Sequence, residues 1–122
     1  MKLLPLTSRE RCWPSGDCID LALIDVPERL LESALGVPFE RGLESGLGEW
    51  VAAGGRLPGG TVVELIRYEQ APAPGGFTLR VDAGADLRSA LDELLVVAGL
   101  RRDTLRWVSP RLNGVSPPTA DT

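Results

Sequence analysis

Residues 49–68 read EWVAAGGRLPGGTVVELIRY, two runs of strand-forming residues on either side of Pro58-Gly59-Gly60. Proline fixes one backbone angle and the glycines tolerate positive φ, so the triplet suits a tight reversal between strands at 49–57 and 61–68. Side chains alternate along a strand, which sends Val63 and Leu65 one way and Val62, Ile66 and Tyr68 the other. A strand apolar on both faces belongs in the middle of a sheet. Residues 77–81 add a cleaner alternation, with Phe77, Leu79 and Val81 inward and Thr78 and Arg80 outward.

Two helices follow from spacing. Leu87, Ala90, Leu91, Leu94, Leu95 and Ala98 recur at helical intervals, Asp86 favours the positive end, and Gly99-Leu100 has the form of a Schellman ending. Upstream, the apolar run 19–24, interrupted only by Asp20, predicts a strand that runs into a helix over 26–35. There Asp25 and Glu28 have the spacing of a capping box, Pro27 suits the first turn, and Gly36 suits the end. Leu30, Leu31, Ala34 and Leu35 form its apolar face. Residues 37–48 hold Pro38, Gly42, Gly46 and Gly48 and predict a loop, as does QAPAPGG at 70–76. Residues 104–108 predict a last short strand with Leu105 and Trp107 on one face.

The predicted order is β-α-β-β-β-α-β. Strands joined by short turns favour an antiparallel sheet of about four to five strands, and both amphipathic helices must bury their stripes on it. The expected fold is therefore α+β, a two-layer sandwich, with one domain over 1–110 and a flexible tail over 111–122.

Composition narrows the function. The 122 residues carry 43% hydrophobic and 25% charged side chains, which are ordinary globular proportions. A net charge of −4 argues against a general nucleic-acid binder, which needs excess Arg and Lys to neutralise phosphates. No run suits a membrane span or a secretory leader, so a cytoplasmic protein is expected. Cys12 and Cys18 are too few and too irregularly spaced for a disulfide framework or a redox pair and are read as free thiols.

The chain has no His, and its one Lys is Lys2. Imidazole-based nucleophilic systems, His-ligated zinc and a buried Schiff-base lysine are thereby removed. Asp17, Asp20 and Asp25 lack the alternating ligand spacing of a calcium loop, and Gly42, Gly46 and Gly48 lack the following Gly-Lys-Ser/Thr of a phosphate cradle. No metal, cofactor or catalytic residue is expected, and the chain reads as a non-enzyme.

What remains is charge asymmetry and three tryptophans. Residues 17–60 carry eight acids against Arg29, Arg41 and Arg56. Asp17, Asp20, Glu40, Glu44 and Glu49 fall in this stretch and are the candidates for an acidic partner-binding surface; complementary charge speeds encounter with a basic protein. Trp107 and Trp50 sit in strands and are read as core. Trp13, between Cys12 and Pro14 in an irregular segment, is the tryptophan assigned to the partner.

Several stretches also carry a family likeness. They are the short acidic helix ending in Ala34-Leu35-Gly36, Gly48-Glu49-Trp50 leading through Leu57-Pro58-Gly59-Gly60 into Val62-Val63-Glu64-Leu65, and Ala98-Gly99-Leu100 followed by Leu105-Arg106-Trp107-Val108-Ser109-Pro110. Together they resemble, over about residues 20–110 and in size, acidity and layout, the immunity proteins that accompany bacterial polymorphic and contact-dependent toxins. That resemblance implies a cytoplasmic inhibitor bound to a toxin domain encoded nearby, possibly a nuclease with a basic cleft. Two other readings stay open: a structural or adaptor subunit of a larger assembly, and a small enzyme using only carboxylate or thiol chemistry.

Overall fold

The computed structural model describes residues 3–7, 10–46, 48–69 and 76–113. It is an α+β fold: among the described residues there are seven strands, all paired antiparallel, and two α-helices. The strands are β1 (Leu4–Pro5), β2 (Cys18–Ile24), β3 (Glu40–Glu44), β4 (Gly48–Arg56), β5 (Val62–Tyr68), β6 (Phe77–Asp82) and β7 (Leu105–Val108). Helix α1 (Glu28–Leu35) follows β2, and α2 (Leu87–Ala98) follows β6. The sheet runs β1-β4-β5-β6-β2-β7, with β3 also paired to β4.

Helix-facing positions alternate through the central strands as their sequence requires. Val51 and Ala53 of β4, Val63 and Leu65 of β5, Phe77, Leu79 and Val81 of β6, and Leu21, Ala22 and Ile24 of β2 form one buried cluster. Leu31 and Leu35 of α1 and Ala90, Leu91, Leu94, Leu95 and Ala98 of α2 complete it. Both helices thus share one face of the sheet. Each fully buried Leu or Phe contributes about 1.5–3 kcal/mol of transfer free energy, so this layer is the main stabilising term.

The sheet is wider than the four to five strands expected, chiefly because residues 40–44 form a strand instead of part of a loop. β3 pairs residue by residue with β4, from Glu40 opposite Ala52 to Glu44 opposite Gly48. Gly42 is not a strand breaker here. It lies opposite Trp50, and a Cβ on it would come within 2.2 Å of the indole. Gly46 and Gly48, at φ 84° and 86°, turn the hairpin.

Helix α1 also begins later than expected, at Glu28, with Pro27 in the cap position and no side-chain cap. Asp25 is engaged elsewhere: just after β2, its N–H donates to the Thr104 carbonyl at 2.8 Å while its carboxylate accepts from Arg106 Nε at 2.9 Å. Helix α2 ends as predicted: Leu100 N–H reaches the Leu95 carbonyl and Gly99 has φ 64°. Asp86 caps its start by accepting from the Ser89 N–H. The fold continues past residue 110 in a 3-10 turn, Pro110–Asn113, that buries Leu112. Residues 114–122 of the expected tail and 70–75 of the expected loop lie outside the described residues.

On the helix-free face the register aligns Gly54, Glu64, Arg80 and Asp20 in one row. Residues 10–17 run against this face, and the Arg11 side chain lies in the space left by Gly54, whose Cβ would meet Arg11 Cδ at 2.5 Å. The Arg11 side chain is only 3% exposed. It donates to Glu64 at 3.0 Å, Glu40 at 3.1 Å and the Leu6 carbonyl at 2.7 Å. A second tie lies nearby, where Asp82 accepts from the N–H and hydroxyl of Ser15 and from the Gly84 N–H. The Ser15 backbone bond leads in holding the Asp82 carboxyl below its ordinary pKa.

Arg11→Ala removes one member of a buried pair and leaves Glu64 with Arg80 alone, and is expected to cost about 3 kcal/mol in urea denaturation, at the lower end for such pairs because Glu64 keeps that second partner and Glu40 is partly solvated. Arg11→Met combined with Glu64→Gln should recover part of that loss. Asp82 has a lowered native pKa, so its contribution is complete above the ordinary aspartate value of 3.8 and is lost as the pH falls through the lowered native value. The stability difference between wild type and Asp82→Asn, followed by thermal unfolding against pH, should therefore be constant near neutrality and shrink only in that acid window.

Candidate interaction surface

Five charged side chains cross the helix-free face in alternation: Glu40, Arg11, Glu64, Arg80 and Asp20. Successive contacts are 3.1, 3.0, 3.6 and 3.4 Å. For Arg80, burial alone would lower the pKa, but Tyr68, Glu64 and Asp20 outweigh it and raise the value. Next to this row the register lines up Ala52, Ile66, Thr78, Leu23 and Trp107, and beyond it Gly42, Trp50 and Tyr68. The Tyr68 hydroxyl donates to Glu44 at 3.1 Å. Burial pushes its pKa up; the Arg80 guanidinium opposes that shift and Glu44 adds to it.

The acids singled out from sequence do not form one patch. Asp20 and Glu40 are tied to Arg80 and Arg11 at opposite ends of the charge row, four strand spacings or roughly 19 Å apart. Asp17 is exposed in the segment before β2, and its backbone carbonyl accepts from Ser15 Oγ and the Ala83 N–H. Glu44 and Glu49 meet at the far end of the β3–β4 hairpin, on opposite faces of the sheet, and neither makes an ion pair among the described residues.

Around Glu49 lies the most exposed large apolar side chain described. Leu43 stands directly across from Glu49 and is 78% exposed. Glu69 continues the same corner, donating its N–H to the Glu49 carbonyl at 2.9 Å while its carboxylate pairs with Arg67. A groove of about 360 Å³ runs here between Leu43, Glu49, Trp50 and Glu69. Arg41, also on its wall, is occupied by both oxygens of Glu28, at 2.9 and 2.8 Å. The corner is therefore an apolar knob beside the Glu49 carboxylate, which makes no ion pair among the described residues, while the guanidinium next to it is already neutralised.

The tryptophans redistribute as well. Trp107 is not core: it is 45% exposed, because a register shift in the β2–β7 pairing places Leu105 opposite Ile24 and Trp107 opposite Leu23, on different faces. Trp50 is half-buried and covers Gly42 on the helix-free face, and Trp13 is half-buried in the segment leading to β2. Leu43, Glu69 and Arg11 were missed from sequence. Leu43 was hidden by the glycines around it, and Arg11 by a segment without periodicity.

Cys12 is exposed, Cys18 half-buried, and both are free thiols. Burial pushes the Cys18 thiol up, and Arg80 only partly opposes this, which makes it a poor nucleophile. No helix among the described residues is long and apolar enough to cross a membrane, and no group of three or more potential metal ligands is gathered there. No protein-family model, curated protein or solved structure matches the chain.

Proposed function

We propose that this chain is an immunity-type protein that binds and neutralises a basic toxin domain, using the far end of the β3–β4 hairpin as its contact. The observation that carries this reading is Leu43, exposed and directly opposite Glu49. Protein interfaces combine an apolar anchor with complementary charge, the anchor supplying residence time and the charge supplying encounter rate. Glu49 stands beside the anchor and Glu44 lies at the same hairpin end on the other face of the sheet, both without an ion pair among the described residues, and the hairpin holds them on paired backbone instead of a free loop. A basic cleft that accepts phosphates would accept these carboxylates in their place.

Co-expression with the product of the adjacent gene, followed by co-purification and a growth-rescue assay, tests the reading. Wild type is expected to co-purify and restore growth. Glu44→Lys with Glu49→Lys should slow association about tenfold or more at low salt and flatten its salt dependence. Leu43→Ala should act mainly on dissociation, weakening binding by about tenfold, or roughly 1.4 kcal/mol. Failure of the wild-type chain to bind or protect overturns the proposal.

A further inference from the structure

We infer that the groove beside Leu43 is a receptor for one arginine side chain of the partner, whose stem lies along Leu43 and whose guanidinium meets the Glu49 carboxylate. The inference rests on the reading of the hairpin end as the contact for a basic protein. Strand alternation puts the groove on the helix side of the sheet. Leu43, Glu49 and Glu69 form one row, with Leu43 opposite Glu49 and the Glu69 N–H donating to the Glu49 carbonyl. The next row is Arg41, Val51 and Arg67, and Val51 belongs to the core beneath the helices. The groove, of about 360 Å³, opens along these rows and is lined by Arg41, Leu43, Glu49, Val51 and Glu69. Glu28, the first residue of α1, reaches its border by pairing with both Arg41 and Arg67.

Charge selects the occupant. Arg41 is held by Glu28 at 2.8 Å, and Arg67 by Glu69 at 2.9 Å and Glu28 at 3.7 Å. Two guanidinium groups against the carboxylates of Glu28, Glu49 and Glu69 leave one negative charge in excess, and Glu49 is the acid with no ion pair among the described residues. An incoming cation is therefore favoured and an anion repelled. Leu43 adds an apolar wall, which suits a cation carried on a long aliphatic stem. A guanidinium fits better than an ammonium, because its planar fork can engage both oxygens of one carboxylate and it gives up less hydration on leaving water. The walls stand on the paired β3–β4 ladder, and the Arg41–Glu28 pair ties that edge to α1. A receptor held in place before the partner arrives loses little conformational freedom on binding.

Titration of the isotope-labelled chain with the peptide acetyl-Gly-Arg-Gly-amide, followed by two-dimensional NMR, tests the inference without any toxin. Saturable amide shifts are expected at residues 41–43, 49–51 and 69, and they should weaken as salt is added. The citrulline peptide, which keeps the shape and loses the charge, should bind about fivefold more weakly or worse. Glu49→Gln should weaken the arginine peptide by a similar factor with little change in melting temperature. Asp103→Asn, which removes the same charge near β7 at the other margin of the sheet, should leave the affinity unchanged. Equal binding of the citrulline peptide, unaltered binding by Glu49→Gln, or no saturable shift overturns the inference. Shifts of the same residues on concentrating the protein alone would put a second copy in the groove and overturn it too. A toxin complex that forms although the arginine peptide does not bind sinks this inference and spares the toxin reading. An arginine peptide that binds as expected, with no toxin complex, does the reverse.

Discussion

Everything in this fold hangs on one apolar layer, the contact between the inward side chains of the four central strands and the stripes of α1 and α2. Phe77, Leu65, Leu79, Leu91 and Leu94 are all fully buried in it. Burial of this kind is non-directional and scales with area, so it sets which face of the sheet the helices take but not how the opposite face is finished. Phe77 ties the layer to its margin, with Phe39 packed on its ring at 5.1 Å and the Arg67 guanidinium 4.7 Å from its centroid.

The opposite face is finished with charge. A buried arginine is costly unless its donors find acceptors, and each of the three nitrogens of the Arg11 guanidinium donates one hydrogen bond, to two carboxylates and a backbone carbonyl. Its position needs Gly54 beneath it, so a glycine in one strand and an arginine more than forty residues earlier form a single structural unit. The same row consumes Asp20 and Glu40 in internal pairing. Of the eight acids in residues 17–60, Asp20, Asp25, Glu28 and Glu40 are held in internal ion pairs, whereas Glu44 and Glu49 at the hairpin end make none among the described residues.

Periodicity made the helices, the hairpin over 49–68 and the inward set of β6 legible, because each has many residues repeating one local rule. It failed where one residue answers to a partner distant in sequence. Gly42 looks like a loop residue until Trp50 is placed opposite it. Asp25 has the spacing of a cap, yet its backbone is engaged by Thr104 and its carboxylate by Arg106. Leu105 and Trp107 share a face in an ideal strand, and a register shift separates them. Of the candidate site, Glu44 and Glu49 could be picked from charge alone, whereas Leu43 and Glu69 join them only through pairing across β3, β4 and β5.

Local patterns in the chain were enough for the class of the protein: two helices on one side of an antiparallel sheet, a missing imidazole, and an acidic first half. These are properties of composition and short-range spacing, which no tertiary contact can alter. Which acids are neutralised and which tryptophan is exposed emerged from the packed fold. Those outcomes depend on register, and register is fixed by contacts between residues far apart in the chain, with a slip of one position moving every side chain to the other face.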